Sequence, residues 1–226
     1  MPRTSTRTRA LMRAGAFGLA GFVPVLVLAW LVRTNGDLQD ADQAAVAAAT
    51  TFTREHPGFQ SALLVWQELT QPRWVILAGG AVCLWTWRRH GLATRSLWAF
   101  GTMLASWGLA TLTKEVVGRV RPVVDAAITT APGYSFPSGH AMASTNAAVT
   151  LTLLVWPLLG RRGRVVVPAA AGVFAVVTAA HRVFLGVHYP SDIVAGMLLG
   201  ATVAGASYLG YSGWNATTTI DDQEVR

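Results

Sequence analysis

Apolar residues in this chain come in long blocks, and charged positions fall between the blocks instead of alternating with them. A helix needs about 20 apolar residues to cross a hydrocarbon core about 30 Å thick. Uncharged stretches of that order lie at residues 14–32, 96–112, 141–159, 165–180 and 193–211. A shorter one at 74–87 is brought to length by tilt or by extension from Gln71. The pattern predicts an all-α polytopic membrane protein with six transmembrane helices in a bundle. The connection from residue 34 to residue 72 is too long for a simple loop. Helix formers at 41–53, with Phe52, Phe59, Leu63, Leu64 and Trp66, predict an interfacial helical segment between the first and second spans. Residues 1–13 read as a basic cytoplasmic N-terminus, 14–211 as the membrane domain, and 212–226 as a disordered cytoplasmic tail ending in Asp221, Asp222 and Glu224. Arg3, Arg7, Arg9 and Arg13 ahead of the first apolar run also fit a secretory signal, but nineteen uncharged residues exceed a usual signal core, so a retained helix is expected.

Composition narrows the class. Of 226 residues 52% are hydrophobic and 13% charged, which excludes a disordered chain and argues against a nucleic-acid-binding domain. The net charge of +7 arises from cations placed between apolar runs, the pattern of membrane-protein loops. Positive charge collects in short cytoplasmic loops. The N-terminus, Arg88, Arg89 and Arg95, and Arg161, Arg162 and Arg164 are therefore expected inside. Residues 33–73, 113–140 and 181–192 are expected outside, with Asp37, Asp40, Asp42, Glu55 and Glu68 among them. The lone Cys83 permits no intrachain disulfide and no thiol metal cluster.

Four outer cations break that rule: Lys114, the only lysine, and Arg119, Arg121 and Arg182. Ionisable residues at helix ends facing a bundle interior are costly unless used. Lys114, Arg121 and Arg182 suit an anion with several oxygens, because guanidinium binds phosphate in a bidentate manner and lysine adds a point charge. Ser138 is a good N-cap and Gly139 lets backbone approach closely, so the helix that follows offers free N–H groups and a positive dipole end to the same anion. His140 and His188 are candidates for proton transfer and for attack on phosphorus, with Asp192 four residues beyond His188 to orient and stabilise its ring. Arg119 and Glu115 read as locally paired or solvated, Asp125 as a solvated loop acid, and His181 as a packing residue outside the catalytic set.

Lys114 followed after six residues by Arg121-Pro122, then Pro137-Ser138-Gly139-His140, then Arg182, five residues, His188, three residues and Asp192 closely resembles the three-part signature of the type-2 phosphatidic acid phosphatase (PAP2) family of membrane lipid phosphatases. The resemblance implies that His188 is a nucleophile forming a phosphohistidine, Asp192 its partner, and His140 the acid for the leaving group and then the base for water. It implies that Lys114, Arg121, Ser138, Gly139 and Arg182 hold the phosphoryl oxygens, with no metal and no cofactor. The substrate class implied is a lipid phosphate or pyrophosphate: phosphatidate, phosphatidylglycerophosphate or an undecaprenyl pyrophosphate type. The family's third motif commonly opens with serine where this chain has His181, which leaves one phosphate hydrogen bond open, to be lost or to be replaced by an imidazole N–H.

Two other readings use the same residues. The family likeness extends to phosphotransferases and to soluble vanadium haloperoxidases, and six spans argue against the soluble branch. A non-enzymatic lipid binder or transporter would use the cations as a headgroup clamp, and such a clamp has no need of His188 paired with Asp192.

Overall fold

The computed structural model describes the backbone of residues 3–124 and 128–224 and the side chains of residues 7–124 and 128–213. Asp125 lies outside the described residues. Among them every regular element is a helix: α1 (Arg3–Thr34), α2 (Gly36–Glu55), α3 (Pro57–Leu69), α4 (Pro72–His90), α5 (Ala93–Val117), α6 (Gly139–Val155), α7 (Gly163–Phe184) and α8 (Pro190–Glu224). A 3-10 turn at Trp156–Leu158 closes α6.

The six apolar stretches correspond to α1 and to α4 through α8. Four helical segments are long and apolar enough to cross a membrane: Arg7–Thr34, Gly139–Leu158, Gly163–Phe184 and Pro190–Gly213. The remaining two, α4 and α5, have the length, about 28 and 37 Å at 1.5 Å per residue. They mix tryptophan, glycine, serine and threonine into the apolar run, which lowers their hydropathy.

The element order brings particular ends together. α8 lies between α1 and α6, and α6 also packs on α4, α5 and α7. Close approach of α8 to α6 depends on Gly196 and Gly200. A Cβ on Gly196 would stand 2.6 Å from the Ser138 carbonyl oxygen, and one on Gly200 would stand 2.6 Å from that of Met142. Small residues at such a seam let two backbones touch, and Asn146 Nδ2 donates to the Gly200 carbonyl at 3.1 Å across it. The seam holds the first turn of α6 against the first turn of α8, joined by Ser138 N–H to the Asp192 carbonyl at 3.0 Å.

Arginines mark the opposite end. Arg95, at the start of α5, donates to the Tyr208 hydroxyl at 2.9 Å near the far end of α8, and Arg9 and Arg13 of α1 line a cavity with Leu209 and Ser212. The helical backbone of α8 runs on to Glu224. No proline follows Pro190, and a helix already nucleated in a long apolar segment extends at little further cost.

The segment between the first two spans forms two helices. Asn35 caps α2, its side chain accepting from Leu38 N–H at 2.8 Å, and His56-Pro57 breaks α2 from α3 because proline suits a first helical position. The buried positions of α2 are Asp42, Val46, Thr50 and Thr53, at the three- and four-residue spacing of one helix face. That stripe packs on α7 and α8, with Thr53 Oγ1 donating to the Phe184 carbonyl at 2.9 Å. α2 therefore covers the mouth of the bundle with a partly polar face.

Candidate active site

The site lies where α5 and α7 end and α6 and α8 begin. α5 stops at Gly118, whose φ of 63° lets the chain turn away, with its N–H closing on the Lys114 carbonyl at 2.9 Å. The chain beyond is pinned at Ser135, whose N–H donates to the Arg119 carbonyl at 2.8 Å. Gly186, with φ 77°, makes the corresponding turn after α7 and delivers His188 to the foot of α8.

His188 is buried, 2% exposed. Its Nδ1 stands 3.3 Å from Asp192 Oδ2 and its Nε2 3.2 Å from Arg121 Nη1. Arginine can only donate, so Nε2 is the acceptor and the proton of the neutral ring sits on Nδ1, pointed at Asp192. Burial and the nearby Arg121 and Arg182 guanidiniums outweigh the favourable Asp192 carboxylate, and the ring is pushed down to about 3. It is neutral at physiological pH, with its lone pair on the atom that faces the cations. Arg121 is further fixed by donating to the carbonyls of Val187 at 2.8 Å, Gly133 at 3.0 Å and Pro132 at 2.9 Å.

Lys114 Nζ donates to the Tyr134 carbonyl at 2.7 Å, and Arg121, Arg182 and Asp192 lie within its electrostatic reach. The lysine stem passes the helix start, with Cε 4.0 Å from where a Gly139 Cβ would stand. Ser138 is fully buried and caps α6, its Oγ accepting from Ala141 N–H at 3.4 Å. The Gly139 and His140 N–H groups belong to the first turn of α6, where no intrahelical acceptor exists for them. His140 lies within reach of Lys114, Arg182 and His188, and its Nε2 is buried without a hydrogen bond. Arg182 donates through Nη1 to Gln67 Oε1 of α3, while its Nε has no partner. All eight sequence-chosen residues thus face one region.

Two sequence readings are corrected here. His181 Nδ1 stands 2.6 Å from the Thr178 carbonyl, which can only accept, so the neutral ring carries its proton there and its Nε2 is an acceptor. It therefore has no N–H left to offer phosphate in place of a serine hydroxyl. It packs edge-on to His140, with ring centroids 5.6 Å apart. Arg119 is neither solvated nor locally paired. It is 8% exposed and bridges two carboxylates, Nη2 to Asp42 Oδ2 at 2.7 Å and Nη1 to Asp192 Oδ1 at 2.7 Å. Nη1 also donates to Ser191 Oγ at 2.7 Å, and the guanidinium lies 3.9 Å over the Tyr189 ring. Its one sequence signal was a cation placed where the charge pattern called for none. Asp42, Ser191 and Gln67 carried no signal, because their partners lie 72 or more residues away.

Among the described residues, no three of the His, Cys, Asp and Glu side chains group as a metal site. The charges lining the cleft are chiefly positive, a donor set that suits an oxyanion and repels a cation.

Residues 95–216 match the family model described as the PAP2 superfamily. The chain is 32% identical over 195 residues to phosphatidylglycerophosphatase B of Bacillus subtilis, covering 79% of this chain and 87% of that one. It is 37% identical over 134 residues to decaprenylphosphoryl-5-phosphoribose phosphatase of Mycobacterium tuberculosis, covering 58% and 67%. A crystal structure of a transmembrane PAP2-type phosphatidylglycerolphosphate phosphatase from Bacillus subtilis superposes with a TM-score of 0.72 at 28% identity, covering 84% of this chain and 94% of that one.

Proposed function

The chain belongs to the PAP2 superfamily, and from that premise we propose that it hydrolyses the phosphate monoester or pyrophosphate of a membrane lipid through a phosphohistidine at His188. One observation carries the reading. A buried imidazole holds its Nδ1 proton against Asp192 and turns an unprotonated Nε2 toward Arg121, with Arg182 also in reach of the ring. A headgroup clamp has no use for such a nucleophile; an in-line displacement requires one.

In this mechanism Lys114, Arg121 and Arg182, with Ser138 and the N–H groups at the start of α6, hold the phosphoryl oxygens. Nε2 of His188 attacks phosphorus as the bond to the leaving oxygen breaks, and Asp192 stabilises the ring as it becomes cationic. His140 gives its proton to the leaving oxygen and then takes one from the water that cleaves the phosphohistidine. Phosphotransfer to an alcohol in place of water is the alternative outcome of the same intermediate.

A lipid substrate is supported by an apolar groove of about 570 Å³ between α4, α6 and α7. Its wall on α6 begins at Ala147, about 10 Å along the helix from His140 at 1.5 Å per residue. We propose that α4 and α5 cross the bilayer with the other four helices. The arginine-rich end then faces the cytoplasm with both termini, and the site opens on the extracytoplasmic face of a bacterial plasma membrane.

The test is phosphate release by purified protein in detergent from phosphatidate, phosphatidylglycerophosphate, undecaprenyl pyrophosphate and decaprenylphosphoryl-5-phosphoribose. Release from at least one, abolished in His188→Ala and inhibited by vanadate, is expected. A folded wild type inert toward all four, or a fully active His188→Ala, overturns the reading.

A further inference from the structure

The three sequence motifs leave out the group that holds Asp192. Its Oδ2 receives His188 Nδ1 and the Tyr189 N–H at 3.0 Å, while its Oδ1 receives Arg119 Nη1. Asp192 is fully buried, and a buried carboxylate keeps its charge only when paired and hydrogen-bonded. Arg119 is its one cationic hydrogen-bond partner among the described residues. Arg119 is held in turn by Asp42 of α2. That carboxylate accepts from Arg119 Nη2 through Oδ2 and from the Ser191 N–H at 3.1 Å through Oδ1, and its Oδ2 accepts from the Ser191 hydroxyl as well. The hydrogens balance. Nη1 uses its two on Ser191 Oγ and Asp192 Oδ1, and Ser191 Oγ accepts one bond and donates another.

We propose that Arg119 and Asp42 are positioning residues for the nucleophile: Arg119 fixes the charge and plane of Asp192, and Asp42 fixes Arg119, so that α2 sets the orientation of the His188 ring. Asp42 has a second effect. A lone guanidinium would draw electron density from Asp192 and weaken it as an acceptor for His188, and an opposing carboxylate offsets that pull. The inference rests on the phosphohistidine reading.

The experiment uses full-length protein in detergent with phosphatidylglycerophosphate, or whichever of the four lipids the wild type hydrolyses fastest. Asp42→Asn and Arg119→Gln are expected to lower kcat by about 10- to 100-fold, the usual scale for groups that orient a reactive ligand, with KM nearly unchanged. Arg119→Lys should recover part of the loss, because it restores the charge without the fork. Residues acting through one another are non-additive, so in an Asp192→Asn background adding Asp42→Asn should cost less than roughly threefold. A purely structural role predicts the same loss in either background. Wild-type kcat in either variant, or a loss undiminished on Asp192→Asn, overturns the proposal. Should Arg119→Gln fail to fold, Asp42→Asn decides, because it keeps size and an acceptor oxygen. A wild type inert toward all four lipids sinks the phosphatase reading itself. An active wild type and a dead His188→Ala, beside unaffected Asp42→Asn and Arg119→Gln, sink only the clamp.

Discussion

At the scale of single residues the site pairs a neutral imidazole with a cationic surround, and the two conditions depend on each other. Were His188 protonated, it would repel the guanidinium 3.2 Å away and lose its lone pair. The same burial makes it a stability element with a defined sign. Unfolded chains take up a proton on histidine below about pH 6.5, whereas the folded ring does so only near pH 3. This contribution to stability is therefore whole above about 6.5 and is lost as the pH falls toward 3. Thermal unfolding in detergent should show a midpoint that drops with acid across that window, with a shallower drop in His188→Gln. His140→Ala is expected to slow phosphorylation of the enzyme most for lipids with poor leaving groups, read as a steeper leaving-group dependence in rapid-quench kinetics. An unchanged dependence would remove His140 as the acid.

Between elements, the α6/α8 seam sets the separation of the two histidines. His140 rides on the first turn of α6 and His188 sits just before α8, so the distance between them follows the approach of the two helices at Gly196 and Gly200. Gly196→Ala drives a methyl into the Ser138 carbonyl, and overpacking of this kind costs about 1–3 kcal/mol. A lower unfolding midpoint and at least a tenfold loss of turnover are expected, because near-attack geometry tolerates little displacement. Gly101→Ala, on an open face of α5, should change neither. Apolar blocks were enough to locate α1 and α4 through α8, four of which hold segments long and apolar enough to cross a membrane, because a membrane core imposes a length and a composition on whatever crosses it. α2 and α3 were legible only as helical segments. The face of α2 that matters, with Asp42 among Val46, Thr50 and Thr53, takes its meaning from helices more than a hundred residues on.

For the molecule as a whole, charge separates one end of the bundle from the other, and this predicts a sidedness that labelling can read. With Cys83, the only cysteine, replaced by serine, a membrane-impermeant maleimide added to intact cells should modify Thr130→Cys and spare Arg162→Cys. The reverse pattern would invert the assigned topology. The cationic lining predicts that chelators leave turnover intact, and activity lost to chelator and restored only by magnesium would refute that. By itself the sequence determined the helical membrane class and picked out the residues that the fold gathers at one site, because spans obey a length rule and the motif residues keep short spacings along the chain. Tertiary structure alone decided which ring nitrogen of His188 is free and that Arg119 joins Asp42 to Asp192. Those outcomes depend on which acceptor stands within 3 Å or so of a buried donor. When the partners lie 72 or more positions apart, only the packing of helices brings them together.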